Sequence, residues 1–357
     1  MKIVQLVFHL GPGGAERFVT DLSNELKAQG HEVVILMLRD DTVSEYNFNL
    51  RFLDPGIRVR SLHLRTGAHP DQISVVCKAL DEERPDVVHG HLGVMPFVYL
   101  YSLRHREIRF VHTVHSVPSF DIRHPLSRRL ARFFYRRTVT PVSISRTCAT
   151  LFQDCYGFGS ETIENGRAVP GESEKSGQVA QAFAALPRPV FVHVARCAPE
   201  KNQGLLLEAF DRLDREGTDF TLLVIGDGFS DHPDLTRFAG DKIRFLGPRD
   251  NVCDYLCLAD AFCLSSRIEG SPISLIEALA CGATPICTPA GGIPDIIRDG
   301  ETGYLSAGYE VGDYLDAIRS FLRAPIPRET LIRHYQSAFT MKECASKYLA
   351  LYNKPSR

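Results

Sequence analysis

Two carboxylates, Glu269 and Glu277, stand eight positions apart in the run Glu269-Gly270-Ser271-Pro272-Ile273-Ser274-Leu275-Ile276-Glu277. A Gly-x-Pro break separates them and an apolar helical run over 273–281 follows. The first acid is therefore predicted in a loop and the second about one turn into a helix. First-turn amides of a helix have no intrahelical acceptor, so those around Ile273, Ser274 and Leu275 offer an anion seat at the end of an expected strand over 261–264. A phosphorylated ligand suits that seat. Glu277, one turn deeper, suits the paired hydroxyls of a ribose, and Glu269 is left for a second hydroxyl-rich group. The same two acids would equally cap and solvate a surface helix, and spacing alone leaves both readings open.

A second charged stretch, Val194-Ala195-Arg196-Cys197-Ala198-Pro199-Glu200-Lys201-Asn202, closes another expected strand. Arg196 and Lys201 can converge there on one diphosphate, the guanidinium by a forked contact and the ammonium as a point charge. A surface pairing with Glu200 is the plain alternative. Ile225-Gly226-Asp227-Gly228 ends the next strand, with small residues that leave room for a base or ribose. Near the start, Gly11-Pro12-Gly13-Gly14-Ala15-Glu16 opens a helix. Gly13 and Gly14 let a ligand approach backbone, or simply make a tight turn.

Histidines gather in His89-Gly90-His91 and His112-Thr113-Val114-His115, both at expected strand ends. Hydrogen bonding to a sugar fits them better than metal ligation, since no carboxylate lies close by in sequence, and His115 is the better placed. Between 123 and 137 the chain carries six arginines and no acid, interleaved with Leu126, Leu130, Phe133, Phe134 and Tyr135. On a helix this gives a basic rim beside an apolar face, suited either to an anionic membrane surface or to ordinary docking on its own domain.

The elements that must position these groups follow an alternation of strand-like and helical runs, the pattern of α/β parallel sheets covered on both faces. Strands are expected near 3–8, 32–38, 57–63, 86–89, 109–112, 139–142 and 162–163, then near 190–194, 220–225, 243–245, 261–264, 283–286 and 303–305. Ala15, Phe18, Val19, Leu22 and Leu26 keep to one face of the first helix, which Gly30 ends. Two doubly wound, Rossmann-like domains facing across a cleft, 1–168 and 189–338, are expected from this alternation. Polar and turn-forming residues make 169–188 a linker, and 339–357 a final helix.

A chain of 357 residues with 44% hydrophobic content can bury two cores. Its net charge of -2 argues against a nucleic-acid partner, although residues 1–168 carry 21 basic and 18 acidic side chains and the remainder 20 and 25. Ten cysteines without framework spacing read as buried thiols of a reducing compartment, and Cys253 and Cys257 lack a partner pair at zinc spacing. With no signal-like leader and no run long enough to span a bilayer, a cytoplasmic protein, peripheral at most on the inner face of a membrane, is expected.

Taken together the chain resembles the family 4 glycosyltransferases, retaining enzymes of the GT-B fold. The likeness rests on Gly13-Gly14-Ala15-Glu16, Pro85 to His91, His112 to His115, Ile163-Glu164-Asn165-Gly166, Arg196 to Asn202, Ile225 to Gly228, Phe245-Leu246-Gly247, Glu269 to Glu277 and Asp299 to Tyr304. By that resemblance Arg196 and Lys201 hold the donor diphosphate, Glu277 the ribose, Glu269 the transferred sugar, and His115 the sugar near its reacting carbon. The final helix returns to the first domain. The implied activity is hexosyl transfer from a nucleotide sugar to a glycan or lipid-linked glycan in polysaccharide or glycoconjugate synthesis. No Asp-x-Asp pair occurs, so cationic side chains and helix amides, without a metal or cofactor, would carry the diphosphate charge. The chain departs from the family at Arg167-Ala168, where an apolar residue and an acid are usual, and at Ser271, which replaces a bulky apolar residue and widens the sugar pocket. An epimerase of the same fold and a non-catalytic relative are the rival readings.

Overall fold

The structure is a computed structural model describing residues 1–39, 42, 44–67, 69–115, 124–168, 171 and 173–354. The chain divides into two compact units, Met1–Ala168 with Met341–Arg357, and Val169–Thr340. Each is built on one parallel sheet.

In the first unit the strands are β1 (Lys2–Val7), β2 (Glu32–Met37), β3 (Arg58–Ser61), β4 (Val87–His91), β5 (Arg109–Val114), β6 (Val139–Ser143) and β7 (Glu161–Thr162), in the order β3-β2-β1-β4-β5-β6-β7. The second unit holds β8 (Val190–Val194), β9 (Thr221–Ile225), β10 (Ile243–Gly247), β11 (Ala261–Leu264), β12 (Thr284–Cys287) and β13 (Tyr304–Leu305), ordered β10-β9-β8-β11-β12-β13. The inner strands form where the sequence runs apolar and β-branched, because both faces of each sheet are covered there, while the edge strands β3 and β7 are polar and partly exposed. In both sheets the strand order reverses beside the first strand, between β1 and β4 and between β8 and β11. Adjacent loops diverge at such a point, and the carboxyl ends of these strands are where doubly wound sheets bind ligands.

Phe18, Val19, Leu22 and Leu26 of helix Gly14–Ala28 pack on one face of the first sheet with Met341, Ala345, Tyr348 and Leu351 of helix Met341–Tyr352. Burying each large apolar side chain contributes about 1.5–3 kcal/mol relative to exposure, so the last helix is an integral part of this core. The left-handed Gly30 follows the end of helix Gly14–Ala28.

One sequence expectation is corrected here, and one departure from the family finds its partner. Residues 169–188 are not simply a linker: helix Ser176–Ala184 buries Val179 and Phe183 in the core of the second unit, and Ser173 donates through its amide and hydroxyl to Asp254. Two apolar contacts in a polar segment are too few to read as a helix face, and Val169, Pro170 and Glu172 lie outside the described residues. Arg167, the family departure, is almost fully buried and ion-paired with Asp21, which Arg17 also meets at 3.2 Å. A guanidinium there replaces apolar packing with charge pairing against the first helix.

Candidate functional site

At the β8/β11 reversal the loops after the two strands are laced together. Ser265 Oγ donates to the carbonyls of Lys201 and Asn202 at 3.0 Å each, and the Arg267 amide donates to Glu200 O at 2.8 Å. Asn202 takes a left-handed conformation to turn the chain into helix Gln203–Arg215. This lacing brings Lys201 Nζ within 2.6 Å of Glu269 Oε1, and Ser266 Oγ donates to the same oxygen at 2.6 Å. Glu269 is only 8% exposed and Lys201 20%. The other carboxylate oxygen of Glu269 makes no hydrogen bond among the described residues.

Glu269 was expected to stand free; it is instead held by an ammonium and a hydroxyl, because a nearly buried carboxylate must be paired. Arg196 and Lys201 do not share a partner. The Arg196 guanidinium is 73% exposed and pairs with Glu200 at 3.0 Å, the plain alternative of the sequence reading. An exposed pair of this kind is worth about 0–1 kcal/mol, so it yields readily to a stronger anion.

Helix Ile273–Cys281 begins after Pro272 as the Gly-x-Pro break predicts. Leu275 N already donates to Pro272 O at 3.2 Å, and its side chain is buried. Ile273 and Ser274 therefore carry the amides that head the helix, with Leu275 belonging to the core. Glu277, half-buried, lies one turn further along.

Gly226 does not make room for a ligand. Its backbone is at φ +153, and a Cβ there would overlap the Ala195 carbonyl oxygen, so the missing side chain lets the turn after β9 close on the end of β8. The Cys197 amide donates across that contact to Asp227 O at 2.7 Å.

Sequence reasoning missed three features of this site. Ser266 accepts from Thr288 Oγ1 on its carbonyl while its hydroxyl grips Glu269. Gly291 lies at φ +51 against the Glu269 carbonyl, with no space for a Cβ. His193, fully buried in β8, donates Nδ1–H to Cys263 O at 2.9 Å and leaves Nε2 unpartnered; burial holds its pKa down to about 4. The signals were the Gly291-Gly292 pair after β12 and a lone histidine in an apolar run.

The first unit gathers a different set at the β1/β4 reversal. His89 and His91 lie within β4, and His112 within β5, since both strands run two residues further than expected. Among these, His112 is locked between Tyr135 OH and Leu92 O at 2.7 Å each, and His89 between Tyr352 OH and Thr113 Oγ1 at 2.7 Å each. Both nitrogens of each ring are thus taken. His91 contacts Gln5 at 2.7 Å and His115 at 3.0 Å, and His115, half-buried just beyond β5, packs its ring against Phe18 at 5.3 Å. Gly13 and Gly14 open helix Gly14–Ala28 in this unit, with the Glu16 carboxylate folded over Gly13. They are not in the unit that carries Lys201 and Glu269.

Burial disfavours the cation at His89, His91, His115 and His193. It pushes His89 and His91 well below the ordinary value, and His115 down to about 3. The unfolded chain binds these protons below about pH 6.5 while the folded chain does not. Stability is thus full above that pH and is lost as pH falls toward about 4 for His193 and about 3 for His115. The expected result is a Tm that drops from pH 7 to pH 5, with calorimetry giving an uptake of up to about four protons on unfolding. A flat profile over that window would mean these rings protonate in place.

In helix Pro125–Tyr135, Ala131, Phe134 and Tyr135 are buried, with Phe134 stacked on Tyr99 at 4.3 Å. Leu126, Leu130 and Phe133 are 66%, 51% and 41% exposed beside exposed Arg129, Arg132 and Arg136. The expected single apolar face is therefore split between core and solvent. Arg123 lies outside the described residues. Among the described residues no helix is long and apolar enough to cross a membrane, and no group of three or more His, Cys, Asp or Glu could hold a metal ion.

Comparison with known proteins adds the following. Residues 12–167 match the family model described as Glycosyltransferase Family 4, and residues 178–337 that described as Glycosyl transferases group 1. The chain is 27% identical to N-acetyl-alpha-D-glucosaminyl L-malate synthase of Bacillus anthracis, over 84% of this chain and 81% of that protein. It is 26% identical to phosphatidyl-myo-inositol mannosyltransferase of Mycobacterium leprae, over 90% and 87%. The fold is similar to that of Anabaena Alr3699/HepE, solved in complex with UDP and glucose, with a TM-score of 0.79 and 17% identity over 98% of this chain and 99% of that one.

Proposed function

Because the chain belongs to glycosyltransferase family 4, a group of GT-B glycosyltransferases, we propose that it moves a hexosyl group, with retention of configuration, from a nucleotide-diphosphate sugar to a hydroxyl of a glycan or lipid-linked glycan. The observation that carries this reading is the Lys201–Glu269 pair at the β8/β11 reversal, beside the first turn of helix Ile273–Cys281. A sugar diphosphate fits that arrangement by charge and by hydrogen bonding. Lys201 turns to the diphosphate, joined by Arg196 and the amides of Ile273 and Ser274; Glu277 accepts from the ribose hydroxyls, and Glu269 from the transferred sugar.

In the transfer, the bond from the sugar's anomeric carbon to the diphosphate oxygen breaks, and its electron pair stays with the diphosphate. The acceptor oxygen bonds to the same face of that carbon, and its proton passes to the departing phosphate. Cations and amides that meet the growing charge stabilise the transition state more than the bound donor. They do so without a metal in this reading. Retention follows the chemistry of the family, and a hexosyl donor with a lipid acceptor is supported by the mannosyltransferase relative's name.

The acceptor lies on a membrane surface in this proposal. Leu126, Leu130 and Phe133 enter the interface of an anionic inner leaflet while the neighbouring arginines meet lipid phosphates. Flotation with anionic vesicles at low salt should carry the protein up, and Leu130→Ser with Phe133→Ser should abolish this. Equal flotation of that double variant would remove the membrane contact. The reaction itself is tested by incubating the protein with sugar nucleotides and lipid-linked acceptors and reading the product's anomeric configuration by NMR. A retained configuration is expected; an inverted product, or a sugar nucleotide isomerised without acceptor, would contradict the proposal.

A further inference from the structure

Gln5, in the centre of β1, His91, at the end of β4, and His115, just past β5, form one continuous hydrogen-bonded line in the first unit. Gln5 lies beside Tyr352 and turns its Oε1 toward His91, its Nε2 being buried without a hydrogen-bond partner. A carbonyl oxygen only accepts, so His91 Nε2 must carry the proton and donate at 2.7 Å. A neutral imidazole has one N–H, so His91 Nδ1 is an acceptor. His115 Nε2 must therefore be the donor across the 3.0 Å contact, and His115 Nδ1 carries a lone pair. That nitrogen makes no hydrogen bond among the described residues and, unlike the nitrogen facing His91, is not sealed from solvent. Both rings stay neutral, as burial pushes His91 well below the ordinary range and His115 down to about 3.

Resting on the transferase reading, we propose that Gln5 and His91 are positioning residues whose hydrogen bonds fix His115 as its Nε2–H tautomer, so that Nδ1 faces outward as an acceptor for a substrate hydroxyl. A ring free to exchange tautomers would present a donor part of the time and meet that hydroxyl with the wrong polarity. The line opposes this: a strand amide whose oxygen meets His91, a buried ring, and only then the ring that meets substrate. Phe18, with its ring 5.3 Å from that of His115 and 6.2 Å from that of His91, packs against both.

The test is the long-range 1H–15N spectrum of the full chain labelled at histidine, with His115 assigned by its loss in His115→Gln. The expected wild-type pattern has a pyrrole-type Nε2 and a pyridine-type Nδ1 for both His91 and His115. Gln5→Leu should shift both toward averaged values and lower kcat/KM for transfer about ten-fold, the loss of one well-placed neutral hydrogen bond. Gln5→Glu, whose carboxylate only accepts, should restore tautomer and rate. A wild-type His115 protonated on Nδ1 overturns the proposal even if Gln5→Leu does not fold. So does an unchanged tautomer in Gln5→Leu, or a changed one at an unchanged rate. Absence of any transfer by the wild type would sink the transferase reading and the substrate role of Nδ1, while the tautomer assignment would still stand or fall on the spectrum.

Discussion

Replacing Lys201 with alanine is expected to lower kcat/KM for the sugar nucleotide by about 10²- to 10³-fold, the usual effect of deleting one preorganised group that meets charge in the transition state. Two effects combine. The ammonium proposed to meet the diphosphate is lost, and Glu269, 8% exposed, keeps only Ser266 as a partner. An unpaired carboxylate there is itself repulsive to a diphosphate and costs about 3–5 kcal/mol of stability when its partner is removed. The double variant Lys201→Ala/Glu269→Gln separates these contributions. It should recover most of the lost Tm and little of the lost activity, since it removes the stranded charge without restoring the cation. Arg196→Ala should cost less, about ten-fold, because an exposed guanidinium paired only with Glu200 acts through solvent. Full recovery of turnover in the double variant would show that Lys201 serves only to neutralise Glu269.

Gly291→Ala should disable the same site without touching a charged group. At φ +51 the alanine is strained, and its Cβ would occupy the position of the Glu269 carbonyl oxygen, which the Gly292 amide meets at 3.4 Å. Backbone cannot rotate aside as a side-chain tip does, so the 269–271 segment must move and carry the Lys201 partner with it. A loss of about 2–4 kcal/mol in stability is expected, from strain and overlap together. It should come with a fall in kcat/KM of on the order of 10²-fold, as misplaced positioning groups produce. Gly240→Ala is the control, an exposed glycine with nothing within 4 Å of an added Cβ. If Gly291→Ala unfolds at the wild-type temperature with wild-type turnover, the close approach of these two loops has no bearing on the reaction.

The sheets were legible because buried parallel strands are short apolar runs bounded by turn residues, as the inner strands β1, β8 and β11 are, while the polar edge strands β3 (Arg-Val-Arg-Ser) and β7 (Glu-Thr) carry little of that signal. So was the meeting of two strand ends in the second sheet, where charged and small residues crowd the termini at 195–202 and 265–272. Which partner each charge takes was not legible. Lys201 and Glu269 lie 68 positions apart, and nothing local says that Ser265 and the Arg267 amide will draw their loops together. His89 and His112 look like ligand-facing groups from their spacing, yet tyrosine and carbonyl partners from distant elements satisfy them inside the sheet. Gly226 and Gly291 appear alike in sequence as loop glycines. Only the backbone that each one faces tells that both are needed for close packing.

The central claim is that the strand ends of the second unit hold a nucleoside diphosphate by charge. Titration calorimetry with UDP, GDP and ADP, each beside its monophosphate, tests it most directly, on the wild type and on Lys201→Ala. One diphosphate should bind the wild type well above its monophosphate, and should bind Lys201→Ala at least ten-fold more weakly. Binding of no diphosphate by the wild type, or equal binding by the two proteins, would contradict the account.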